Sequence, residues 1–279
     1  MNDMDKLELK FYNVAYPTFL SNSKLLQTVR LFQDRDDFAP RCYGTDSEGK
    51  VRNWDLAEGV KPSDGDKFTT FTPQSYGDQC SVGDKRMQNN PDHTIHEVGV
   101  QLGNDFSKRL DTNILNFFES FTGGTAGTAG NPLTWTHISI ASALLANQKI
   151  RGQVVCVLHP FQWADLLKSA STTGLGGTIA PNAVHNQLNG VYFDSSDMGG
   201  TMFIVSRRIV LGEGNTVVGA MYVRDAIGLD IRSPFIIRTQ RDGRLDSTYI
   251  HSSMVYDVGI MNPELGVKII SDASSPEQD

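Results

Sequence analysis

The chain is poor in the residues and patterns that mark several large protein classes. Only three of its 279 residues are cysteines, and Cys42, Cys80 and Cys156 are far apart in sequence. An odd, scattered set fits free thiols in a reducing compartment and not a disulfide framework. Cys156, inside the apolar run VVCVL, is expected to be an inert core residue. No stretch approaches the roughly 18 apolar residues that a membrane-spanning helix requires, so no membrane segment is expected. Met1–Lys10 mixes acidic and basic side chains without an apolar core, and no secretory leader is expected there. Basic charge is also in deficit: 25 Lys and Arg stand against 32 Asp and Glu, a formal net charge of −7. A protein that reads DNA sequence concentrates basic charge on one face, so that class is disfavoured. The plain consequence of the acidic balance is solubility.

The patterns of catalysis and metal binding are missing as well. The six histidines, His93, His96, His137, His159, His185 and His251, form no HExxH and stand near no cysteine at ligand spacing, and there is no CxxC. His93 and His96 are expected to lie on the solvated first turn of a helix. The Gly-rich run GGTAGTAGNP, residues 123–132, lacks the Gly-Lys-Ser/Thr ending of a phosphate loop. No G-x-S-x-G nucleophile elbow occurs. Asp225 and Asp257 lie in strand-rich surroundings, where pairing with Arg224 or Arg232 is expected. Arg238, Arg241 and Arg244 surround an Asp242-Gly243 turn and make a basic hairpin tip. Such a tip is solvated, or touches nucleic acid or a neighbour's acidic loop. No catalytic, cofactor-binding or metal-ligating residue is assigned, no cofactor is expected, and a soluble hydrolase has no acid–base constellation to support it.

What is present is an ordinary globular composition, 39% hydrophobic and 20% charged, long enough to bury a core without staples. The clearest pattern runs over residues 92–121. Ile95, Val98, Leu102, Phe106, Leu110, Ile114, Phe117 or Phe118, and Phe121 recur at steps of three and four, which predicts a long amphipathic helix. Thr94 and Glu97 have the spacing of a capping box, Asp92 is a second cap candidate, and Gly123-Gly124 end the segment. A second helix is expected from Thr134 to Gln148, with Trp135, Ile138, Ala141 or Ser142, and Leu145 on one face. VVCVL, residues 154–158, predicts a buried strand. His159-Pro160 then opens a third helix, proline suiting its first position.

The flanking regions differ. Residues 1–40 hold Phe11, Tyr12, Val14, Tyr16, Phe19 and Leu20 in no single period and predict an extended arm, with a short helix or strand at 24–33. The polar run TDSEGKVRNWDLAEGVKPSDGDKF, residues 45–68, cannot form a core. It is expected either to be disordered or to pack on something else; its turn residues fit a projecting two-stranded hairpin, too weak to stand without support from another chain. After a loop at 171–179 and a short helix at 181–189, strands alternate with turns: VYF, TMFIVS, RRIVL, TVVGAMYV, LDIRS, FIIRTQR, STYIHSSMVYDVGIM and VKII. The fold class is α+β.

Four stretches, in their order and spacing, carry a family resemblance over about three quarters of the chain. They are FTPQSYGDQCSVGDKRMQNNPD, LTWTHISIASALLANQKIRGQVVCVLHPFQWADLL, VVGAMYVRDAIGLDIR and STYIHSSMVYDVGIMNPELGVKIISDAS. The sequence resembles the major capsid proteins of tailed bacteriophages, of Hong Kong 97-like fold. The resemblance implies an N-terminal arm over 1–40, an extended β-hairpin loop over 41–75 and a peripheral domain over 76–170 with a spine helix at 92–121. It further implies an axial domain over 171–250 and a return to the peripheral domain, with the C-terminal tail, over 251–279.

The implied function is structural and not enzymatic: self-assembly into pentamers and hexamers of an icosahedral head around double-stranded DNA, which it contacts non-specifically. Implied partners are further copies of the chain, portal and scaffolding proteins and a decoration protein, with no membrane. The implied location is the virion, after assembly in the bacterial host cytoplasm. Candidate subunit-interface residues are Phe11, Tyr12, Tyr16 and Phe19 in the arm and Trp54 and Leu56 in the loop, each with local packing as its alternative. An encapsulin-like nanocompartment shell is the alternative of the same fold. No charged, coiled-coil-like leader precedes the arm, so scaffolding is expected as a separate or already removed chain. Lys50, Lys61 and Lys67 lie in the loop, but no acceptor or catalytic glutamate matches, and crosslinking is not expected.

Overall fold

The computed structural model describes residues 3–32, 41–45, 51–55, 67–148, 152–172, 195–198 and 201–273. The chain divides into two compact units: residues 1–27, 31–113 and 228–259 form unit 1, and residues 28–30, 114–227 and 260–279 form unit 2. This division cuts across the expected boundaries at 170 and 250, for a reason that lies in strand pairing. A long strand β11 (Ile227–Asp242) pairs with β12 (Ser247–Ile260), which carries residues 228–250 into unit 1. The last strand β13 (Gly266–Asp272) pairs antiparallel with β10 (Thr216–Val223) and so belongs to unit 2.

Unit 1 opens with a helix, α1, over Asp3–Asn22. The expected extended arm is therefore corrected across these residues. Phe11, Ala15 and Phe19, one turn apart, are all buried. They were obscured in the sequence because Leu9, Tyr12, Tyr16 and Leu20 add apolar character to a second face and Pro17 interrupts the pattern. Helix α1 packs on the long helix α3 (Pro91–Leu115), at two glycines one turn apart. A Cβ on Gly99 would lie 2.9 Å from Val14 Cβ, and one on Gly103 would lie 2.5 Å from the Ala15 carbonyl oxygen. Only a residue without a side chain admits so close an approach. The ambiguous stretch 24–33 resolves into a 3-10 turn at Leu26–Thr28 and strand β1 at Arg30–Phe32.

Three strands follow: β2 (Arg41–Thr45), β3 (Val51–Asp55) and β4 (Lys67–Phe71), in the order β3-β2-β4. The expected two-stranded hairpin is thus a three-stranded sheet, with β2 paired antiparallel on both edges. Residues 46–50 and 56–66, which connect these strands in sequence, lie outside the described residues. Strand β5 (Gln74–Gly83) joins β1, β11 and β12 in a four-stranded sheet of order β1-β11-β12-β5. A short helix α2 (Asp84–Asn89) then leads into α3.

The predicted apolar stripe of α3 is present. Ile95, Val98, Leu102, Phe106, Leu110 and Ile114 are each buried, followed by Phe118 and Phe121. The helix is shorter than expected, ending at Leu115 before a 3-10 turn at Phe118–Ser120. Its start is also corrected. Pro91 takes the first position, where a missing N–H costs nothing. Thr94 lies inside the helix, its Oγ1 donating to the Asn90 carbonyl at 2.8 Å, and Glu97 binds Arg86, so no capping box forms.

Unit 2 is built on a six-stranded sheet of order β6-β13-β10-β7-β9-β8. Its remaining elements are β6 (Thr125–Ala126), helix α4 (Trp135–Asn147), β7 (Val154–Leu158), helix α5 (Pro160–Thr172), β8 (Ser195–Met198) and β9 (Thr201–Val205). Helix α4 and strand β7 fall where the sequence places them. Ile138, Ala141 and Leu145 of α4 pack with Cys156 and Leu158 of β7 and Leu166 of α5 in one core. Pro160 opens α5 as expected, and the buried Gln162 pins that end down. Its Oε1 accepts the His159 N–H at 3.0 Å, and its Nε2 donates to Ser271 Oγ at 2.8 Å. The run RRIVL is a turn and not a strand, with Val210 76% exposed. LDIRS and FIIRTQR merge into the single strand β11. The expected loop at 173–179, helix at 181–189 and strand VYF lie outside the described residues.

Candidate assembly surfaces

The described residues do not converge on a reaction centre. Among them, no group of three or more His, Cys, Asp or Glu is placed to hold a metal ion, and no helix is long and apolar enough to cross a membrane. His93 sits 3.4 Å from Glu97. Cys156 is fully buried and its thiol is raised by burial, which keeps it protonated and unreactive. Burial likewise lowers His159.

Two acidic residues keep different company from that expected. Asp225 pairs with Arg30 at 2.8 Å, not with Arg224, whose Nε donates to the Val29 carbonyl. Asp257 accepts the backbone N–H groups of Thr72 and Val258, at 2.7 and 2.9 Å. Arg232 forms a fully buried ion pair with Asp230 at 2.8 Å. Asp225–Arg30 and Asp257–Thr72 join residues distant in sequence, a relation that side-chain type alone does not reveal.

The surfaces are more informative than the clefts. On α1, Phe11 and Phe19 are 0% and 2% exposed and pack inside unit 1, Phe19 against Phe235 with ring centroids 6.2 Å apart. They are core residues of their own chain, which corrects their assignment as subunit-interface candidates. Tyr12 and Tyr16 are half-buried and stack on each other at 5.2 Å. Burial, with the neighbouring Tyr16 phenol second, raises the Tyr12 hydroxyl. Leu9 and Leu20, 49% and 41% exposed, continue the same stripe. With about 100° per residue, positions 9, 12, 16 and 20 share one side of the helix, beside the buried face. Trp54 lies on β3 opposite Cys42. Leu56 lies outside the described residues.

The basic tip is partly neutralised. Arg241 binds Asp84 Oδ2 through both Nη2 (2.7 Å) and Nε (3.1 Å), and the Asp84 N–H donates to the Asp246 carbonyl, which ties the β11–β12 turn to α2. The Arg244 N–H donates to Asp242 Oδ1 at 2.8 Å, closing the turn. Leu245 at the tip is 65% exposed, a surface feature the sequence reading missed. In unit 2, exposed Val210 and Leu211 were missed because RRIVL looks like a buried strand. They adjoin an open groove of about 600 Å³ lined by Phe118, Glu119, Arg208 and Val218 among others.

The family described as "Phage capsid protein" matches residues 67–269. No curated protein sequence matches the chain. Solved structures of similar fold include the capsid of Ralstonia phage GP4, at TM-score 0.61 and 13% identity, covering 90% of this chain and 89% of that one. The cyanophage Pam1 capsid is similar at TM-score 0.62 and 11% identity, covering 91% and 93%. The SrpI encapsulin of Synechococcus elongatus is similar at TM-score 0.60 and 11% identity, covering 96% and 92%.

Proposed function

The chain belongs to the phage capsid protein family, and from that premise we propose that it forms pentamers and hexamers of an icosahedral head that encloses double-stranded DNA. It is a major capsid protein with a Hong Kong 97-like α+β fold, and such chains assemble into multimeric shells of the same protein. The observation that carries the reading is the family match over residues 67–269, which spans the long helix, most of both main sheets and strand β4 of the loop sheet. The role is structural and not catalytic.

In this reading unit 1 takes the part of the peripheral domain and unit 2 that of the axial domain. The three-stranded sheet over 41–71 is the extended loop and lies on a neighbouring subunit. Trp54, Leu56, Tyr12 and Tyr16 contribute to subunit contacts, and portal, scaffolding and decoration proteins are further partners. The negative charge of −7 limits adhesion of DNA to the shell wall. The chain resides in the virion, with assembly in the host cytoplasm. An encapsulin-like compartment is the second reading, supported by the similar fold of the Synechococcus elongatus shell.

Negative-stain electron microscopy of the purified protein tests the proposal. Closed, uniform particles or capsomer rings are the expected result, and their diameter and nucleic-acid content separate a phage head from a small compartment. Particles that stay small and asymmetric, with added salt and crowding agent, would reject both readings.

A further inference from the structure

We propose that Asp257 and Gly259 form a socket that fixes the direction in which the 41–71 sheet leaves the four-stranded sheet of unit 1, making Asp257 a positioning residue for assembly. The inference rests on the reading that this sheet contacts a neighbouring subunit. Strand β4 is the part of the sheet that connects directly to the body. Its last residue, Phe71, is fully buried, with its ring centroid 6.1 Å from that of Phe32. It occupies space that any side chain at Gly259 would need: a Cβ there would lie 3.2 Å from Phe71 Cε1 and 2.9 Å from Thr69 Cγ2. The glycine thus leaves a slot, and β4 is keyed into it.

The next residue, Thr72, is exposed, yet its N–H is held by Asp257 Oδ2 at 2.7 Å, while Oδ1 accepts the Val258 N–H at 2.9 Å. Pro73 follows and has no N–H of its own, so the Thr72 amide is the last one before β5 that can be fastened. A residue preceding proline is also confined to extended conformations. The junction is therefore stiff in itself and pinned at one amide by one carboxylate. Burial raises the Asp257 carboxyl, and its two backbone hydrogen bonds oppose that shift without cancelling it.

The test uses the full chain and the variants Asp257→Ala, Asp257→Asn and Gly259→Val. Hydrogen exchange is followed at Thr72 in free subunits, and shell yield is measured at fixed concentration. In D257A the Thr72 amide should exchange about tenfold faster, as expected for losing one hydrogen bond to a charged group, and shell yield should fall several-fold. D257N keeps an oxygen that accepts the same N–H, so it should retain both protection and assembly. Thermal melting of D257A close to wild type separates lost direction from lost folding. Gly259→Val should displace Phe71 and lower shell yield too. Equal exchange at Thr72 in wild type and D257A, or full assembly by D257A despite lost protection, would overturn the socket. A wild-type chain that forms no shells would instead count against the capsid reading, while exchange in free subunits still decides whether Asp257 fastens Thr72.

Discussion

The central strands of the two units face their surroundings differently. In unit 2, Val155 through Leu158 on β7 and Ala220 through Val223 on β10 are all at most 2% exposed, so both faces of these strands are covered. Cys156 and Met221 point into the core shared with α4 and α5. Tyr222 meets Phe118 and Phe121 on the other face, and its hydroxyl bonds Thr28 Oγ1 at 2.7 Å. In unit 1, β12 alternates. Ile250, Ser252, Met254 and Tyr256 are buried, while Tyr249, His251, Ser253 and Val255 between them are half-exposed. The central strands of unit 2 are covered on both faces, whereas unit 1 leaves one face of β12 and the Tyr12–Tyr16 stripe half-exposed. A subunit that must both fold and assemble can separate the two demands in this way.

The sharpest attempt to break that contrast is to strike a buried ion pair of unit 1, Arg232–Asp230. Asp230→Ala leaves the Arg232 guanidinium in the interior and should cost about 3–5 kcal/mol in denaturant unfolding. In unit 2, Leu166→Ala should cost about 2–5 kcal/mol and lower the unfolding midpoint, as expected for a fully buried core leucine. Gly103→Val should force α1 away from α3 and cost about 1–3 kcal/mol by overpacking, read from the same curves. The double variant Tyr12→Ala, Tyr16→Ala should behave oppositely: little change in unfolding midpoint, but a loss of shell yield of about tenfold, since truncating aromatic interface anchors costs about 2 kcal/mol or more. Unfolding of this variant as severe as that of L166A would place the stripe in the core and erase the contrast.

The smallest effect is in pH. Asp257 in unit 1 and Asp165 in unit 2 are both raised, chiefly by burial. The folded state then holds these protons more tightly than the unfolded chain, so their contribution to stability declines as pH rises from the ordinary carboxylate range through the folded pKa and is constant above it. The double variant Asp165→Asn, Asp257→Asn should therefore gain stability relative to wild type as pH rises from about 4 to neutral. Urea midpoints across that range check the sign.

The contrast between the units was partly legible beforehand. Continuous apolar runs such as VVCVL and VVGAMYV mark strands buried on both faces, and the alternation in STYIHSSMVYDV marks one buried face. The stripe from Ile95 to Ile114 likewise announced α3, because one-sided burial of a long helix writes its period into the chain. Helix α1 was illegible for the opposite reason: buried Phe11 and Phe19 adjoin exposed Leu9 and Leu20, so its apolar arc is too wide to show a period. Of the candidate interface residues, Phe11 and Phe19 could not be told from Tyr12 and Tyr16 by type. Their separation depends on how deeply each packs against residues far along the chain, such as Phe235, which stacks on the buried Phe19.

By itself, the sequence determined the α+β class, the long helix, the strands at 154–158 and 216–223, the absence of recognised catalytic motifs and the resemblance to phage capsid proteins. These depend on local patterns of polarity and on motif order, which survive in one dimension. The tertiary structure alone decided that β13 pairs with β10, that α1 enters against Gly99 and Gly103, and that Asp257 meets Thr72. Each of these is a contact between residues far apart in the chain. Local propensity does not fix such contacts; they are selected by the combined fit of many side chains in a packed interior.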